Sequence, residues 1–213
     1  MSAANSIFVK KLPMRYSIGL MIAGLFLLVS CANNNTNKQA EVANMAKPAG
    51  PVESILDEPC NTKLKQMLAD YYLVKDGFVA SDAAKVDSAC AKFIASTDSF
   101  TVAFAHMKFK DDTMNYMAKW KVYLDTIQAK SNQLISLKDA TCELKRVPFS
   151  KLSDEMFTFL KLIKIKNAGI YQQHCPMAFE DKGANWLSNE SDIKNPYFGK
   201  KMLECGDLSD SLK

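Results

Sequence analysis

The side chains with most chemistry in this chain crowd toward its end. His174-Cys175-Pro176-Met177 is followed by Met202-Leu203-Glu204-Cys205, so two Cys, two Met and one of only two His fall within 32 residues. These are soft or borderline donors. Thiolate with thioether favours Cu(I) over Mg, Ca or Mn, whose sites are built from oxygen. Cys175, Met177, Met202 and Cys205, with His174 as a fifth or alternate ligand, therefore read as a site for copper, as Cu(I), or silver. Pro176 fixes the backbone directly after the first Cys and helps to present its neighbours.

A second reading joins the same cysteines without a metal. A Cys175–Cys205 disulfide would staple the C-terminal region, with Met177 and Met202 as packing. In an oxidising compartment that alternative is serious. The region would then be a structural or protein-interaction module, and its aromatics and Asn195-Pro196-Tyr197-Phe198-Gly199 would make the contact. Catalysis is not expected. His174 stands beside Cys175, but adjacent residues seldom point at each other, and the chain has no phosphate loop, H-E-x-x-H or paired C-x-x-C motif.

The start of the chain says where such chemistry would occur. Lys10, Lys11 and Arg15 precede an apolar run from Ile18 to Val29, which ends in Leu28-Val29-Ser30-Cys31. That run has the length of a signal h-region and is too short to span a bilayer. The order resembles a bacterial lipobox, with residues 1–30 as signal peptide and Cys31 as the lipid-bearing residue. Ala32-Asn33-Asn34-Asn35 follows. By resemblance to Gram-negative lipoproteins, it lacks the Asp that retains such proteins at the inner membrane. The expectation is an anchored lipoprotein in the periplasm or at the outer membrane. Without residues 1–30 the charge balance is 24 basic against 23 acidic. Nothing remains that reads as a nucleic-acid footprint.

Residues 31–55 read as a flexible tether, rich in Asn, Ala and Lys with Pro48, Gly50 and Pro51. Residues 56–168 read as an antiparallel four-helix bundle, and the expected fold class is all-α. Asn61 or Thr62 is placed to cap a first helix carrying Leu64, Met67, Leu68, Tyr71, Tyr72 and Phe78. Ser81 or Asp82 caps the second, with Val86, Cys90, Phe93 and Ile94 on one face. Met117, Trp120, Leu124, Ile127, Ser131 and Leu134 form the seam of a third. Phe149, Leu152, Met156, Phe159, Leu160 and Ile163 mark a fourth, which Pro148 splits or starts. Residues 97–110 read as a connector that packs its aromatics on the bundle. Residues 169–213, broken by Pro176, Gly183, Pro196, Gly199 and Gly206, read as an irregular cap. Of the other cysteines, Cys60 and Cys90 are the candidate disulfide, worth ~3 kcal/mol if formed.

At this point a resemblance becomes specific. The stretch HCPMAFEDKGANWLSNESDIKNPYFGKKMLECG, residues 174–206, resembles the signature of a bacterial domain-of-unknown-function family. That family occurs alone in lipoproteins and fused to the C-terminus of RND heavy-metal (copper/silver) efflux adaptors. Tyr71 to Asp82 resembles its opening helix, and Arg146, Phe149 and Leu152-Ser153 its last helix. The match covers residues 62–207, with Gly77 and Cys142 as departures. It implies a helical domain with a soft-metal role as chaperone, buffer or efflux accessory, with an efflux adaptor or another copper protein as partner.

Overall fold

The computed structural model describes residues 53–107 and 116–212. The expected signal peptide, Cys31 and most of the expected tether lie outside them. The chain enters at Glu53, whose backbone exchanges hydrogen bonds with Lys166. Helix α1 is Glu58–Ala80. Its N-cap is Asp57, whose carboxylate accepts from the Cys60 amide at 3.0 Å, with Pro59 in the first turn. The helix thus starts before Asn61 and Thr62, because Asp57 and Pro59 together satisfy the first turn. Asn61 instead accepts from Ser54 Oγ.

Ser81, in the left-handed conformation, closes α1, and Asp82 caps α2, Ala83–His106, by accepting from the Lys85 amide at 3.0 Å. Helix α2 absorbs most of the expected connector. Phe100 and Phe104 are spaced for a helical face and stack on each other at 5.8 Å. Their alternation with Val102 imitates a strand, but Thr97 and Thr101 return their hydroxyls to carbonyls four residues back, as within a helix.

Helix α3 is Tyr116–Ser136, and its buried residues are Trp120, Leu124, Ile127, Ser131 and Leu134, the predicted seam. Helix α4 is Glu143–Leu162. Pro148 neither splits nor starts it. The helix runs through it, and the Leu144 carbonyl that loses its donor belongs to a residue 61% exposed, where water can replace the bond. Each helix packs on the next in sequence, the order of an up-and-down bundle.

The all-α expectation fails at residues 169–213. That region builds a three-stranded antiparallel sheet in the order β2-β1-β3. Strand β1 is Ile170–Cys175, β2 is Ala184–Ser188 and β3 is Asp207–Leu212. The glycines and prolines that suggested irregularity are loop residues between short strands. Within β1, buried Tyr171, Gln173 and Cys175 alternate with half-buried Gln172 and His174. A bulge near Ser209 shifts the β1–β3 register between Gln172 and Gln173.

The helices cover the β2 edge. The Leu187 amide donates to the Tyr71 hydroxyl at 3.1 Å, and the Tyr197 hydroxyl donates to the Asn185 carbonyl. Two tyrosines thereby satisfy an edge that would otherwise stay open. Behind them Tyr71 stacks on Phe149, and Tyr197 packs edge-on to Trp186. No helix among the described residues is long and apolar enough to cross a membrane.

Candidate functional site

Cys175 ends β1 and pairs with Ala184 across the hairpin. Cys205 stands two residues before β3, with Gly206 between. The fold brings their sulfurs to 3.7 Å, both as free thiols. Cys175 is wholly buried and Cys205 is half-buried. Partial burial raises the Cys205 thiol above its ordinary range, and the bond to Cys175 raises it further.

Three buried polar residues hold this pair in place, and the sequence alone gave them no role at the site. The Asn195 side chain accepts from the Tyr197 amide at 2.7 Å and the Phe198 amide at 3.2 Å, and donates to the Cys205 carbonyl at 2.6 Å. It shapes the loop that delivers Cys205. Arg146, 3% exposed, donates to the Pro196 carbonyl at 2.9 Å and to Ser81 Oγ at 3.2 Å, tying that loop to the α1–α2 turn. The Gln173 amide donates to the carbonyls of Glu190, Ser191 and Asp192, anchoring the start of the same loop beside β1. The signal for such residues is a polar side chain at a core position of an otherwise apolar pattern.

Gly206 locks Cys205 against β1. Its φ is +142°, and a Cβ there would lie 2.6 Å from the His174 carbonyl oxygen and 3.0 Å from the Trp186 ring. The backbone approach that places Cys205 against β1 therefore excludes a side chain at the next residue.

Of the other predicted ligands, Met177 and Met202 are neighbours of the two cysteines in sequence. Met177 follows Pro176 in the β1–β2 loop and is 45% exposed. In that loop Phe179, Glu180 and Asp181 all take left-handed backbone angles, a strain of about 1–2 kcal/mol each. Met202 is half-buried at the end of the short Gly199–Lys201 turn, and its carbonyl accepts from the Cys205 amide at 3.2 Å. Each Met is thus within three residues of a Cys.

His174 does not join them. Strand alternation turns it to the face opposite Cys175, where Nδ1 lies 2.8 Å from Asn185 Oδ1. The Asn185 amide nitrogen donates to Asp154, so its oxygen faces the ring and His174 Nδ1 carries the proton. Among the described residues no three His, Cys, Asp or Glu side chains gather as a metal group.

The Asn195–Gly199 segment is not a docking surface. Asn195, Pro196, Tyr197 and Gly199 are buried in the chain's own core. Nor are Cys60 and Cys90 bonded. The α1–α2 turn lies about 30 Å from Cys60 along α1 but only about 11 Å from Cys90 along α2, at ~1.5 Å per residue. Both are free and buried, and burial above all pushes each thiol up to about 12. Cys90 donates instead to the Ser131 carbonyl.

In comparisons with known proteins, no family model, curated protein or solved structure matches this chain. The functional reading therefore rests on the residues themselves.

Proposed function

We propose that this chain is an anchored lipoprotein of the bacterial envelope that binds one soft monovalent ion, Cu(I) or Ag(I), through Cys175 and Cys205. It would serve as a buffer, chaperone or efflux accessory. One observation carries the reading: two cysteines far apart in sequence meet with sulfurs 3.7 Å apart. Two thiolates at that distance are within reach of one shared ion, since metal–thiolate bonds are ~2.3 Å. The donor set is soft, and two thiolates alone fall short of the four ligands that structural Zn takes. Met177 and Met202 are near enough in sequence to complete the set, while His174 is engaged elsewhere.

The test is anaerobic titration of the reduced full chain carrying Cys31→Ser with Cu(I) or Ag(I), against a competing chelator. One equivalent should bind tightly. Cys175→Ser and Cys205→Ser should each abolish stoichiometric binding, and Met177→Leu or Met202→Leu should weaken it without unfolding the protein. Binding displaces thiol protons, and the Cys205 thiol is held above its usual range. Affinity should therefore fall as pH falls, by about tenfold per unit for each proton released. Equal binding by the wild type and the double Cys→Ser variant would overturn the reading.

A further inference from the structure

The two thiols of the pair differ in access. Cys175 is wholly buried, whereas Cys205 stands half-open on the loop side of β3. The remaining described thiols, Cys60, Cys90 and Cys142, are all buried. Resting on the reading of Cys175 and Cys205 as an ion site, we propose that Cys205 is also a thiol–disulfide exchange site. It would take small-molecule disulfides, with Cys175 as the resolving thiol, and closure of the pair would release the ion.

The chemistry balances within the pair and the external disulfide. The Cys205 thiolate attacks one sulfur of the disulfide, forming a Cys205 mixed disulfide and expelling one small thiolate. Cys175, as thiolate, then attacks the Cys205 sulfur, forming Cys175–Cys205 and expelling the second. The protein gives up two electrons and two protons, and the external disulfide becomes two thiols. The geometry suits the second step, since the sulfurs need approach only from 3.7 Å to ~2.05 Å. It suits the first only at Cys205, because attack requires access. Closure consumes both thiolates, so the oxidised pair has no thiolate left to bind an ion.

Thiolate is the attacking form. A bound ion should protect the pair, since it holds both sulfurs.

The experiment uses the reduced full chain carrying Cys31→Ser, with glutathione disulfide as probe and intact mass after acid quench as readout. Wild type should lose two protons and keep no adduct. Cys175→Ser should accumulate one glutathione on Cys205. Cys205→Ser should react at least tenfold more slowly. Cys175→Ala serves as a second trapping variant, and circular dichroism checks that each variant is folded. An adduct on Cys205→Ser as fast as on Cys175→Ser, or a stable adduct on wild type, overturns the proposal. Preloading wild type with Ag(I) should slow closure, and the oxidised form should bind none. If closure proceeds as described but the reduced protein takes up no ion, the metal reading fails and the exchange site stands. If the ion binds but neither trapping variant gains an adduct, the exchange site alone fails.

Discussion

The Tyr71 hydroxyl is one contact that ties the sheet to the helices, and its removal gives a measurable test of the architecture. Ser153 Oγ donates its single proton to the Phe149 carbonyl at 2.9 Å. The 2.7 Å contact between Tyr71 and Ser153 must then be a bond donated by Tyr71. The Tyr71 oxygen in turn accepts from the Leu187 amide at 3.1 Å. A directed chain therefore runs from strand β2 through α1 to α4. Burial raises the Tyr71 pKa well above that of a free phenol, which keeps the donor protonated. Tyr71→Phe leaves the ring and its stacking on Phe149 and strands the Leu187 amide in a buried place. An unsatisfied buried donor costs about 1–3 kcal/mol, while Ser153 keeps its own bond. The expected loss is about 2 kcal/mol, or a Tm lower by roughly 4–8 °C for a chain of this size. Urea unfolding followed by circular dichroism reads the first and a thermal scan the second. Ser153→Ala should couple to Tyr71→Phe in a double-mutant cycle by at least ~0.5 kcal/mol. A loss below ~0.5 kcal/mol for Tyr71→Phe, or strict additivity of the two changes, would refute the chain as drawn.

Two further outcomes are expected. Cys31→Ser should leave the precursor uncleaved by the lipoprotein peptidase and unlabelled by radioactive palmitate, and unchanged labelling refutes anchoring at Cys31. Gly206→Ala should lower the urea midpoint by the equivalent of about 2 kcal/mol, because its Cβ meets a backbone carbonyl at 2.6 Å. It should also weaken Ag(I) uptake by spreading the two sulfurs, and a variant as stable as wild type would mean that β3 does not lie as close to β1 as described.

The bundle was legible because its signal is redundant. Trp120, Leu124, Ile127, Ser131 and Leu134 repeat the same face over several turns, and all five are buried. The sheet was not legible because each strand is only five or six residues long and its signal is spent on specific partners. Strand β1 carries polar Gln172, Gln173 and His174 at its centre, and Gln173 is buried only because three carbonyls of a later loop receive its amide. Nothing local announces such a partner. The connector expected over residues 97–110 failed differently: at Phe100, Val102 and Phe104 local alternation obscured a helical face, and the helix continues to His106.

The site divides along the same line. That Cys175 and Cys205 belong together was readable from their types and from the punctuated chain between them. That His174 does not join them follows from strand geometry, since adjacent residues of β1 face opposite ways. Once residues 170–175 form a strand, Asn185 is placed beside His174 by register and Cys175 is turned toward the core. The secondary structure therefore selects among the ligands that composition offered. It leaves two thiols at contact distance, one buried and one reachable, the asymmetry on which the proposed coupling of ion binding to thiol exchange rests.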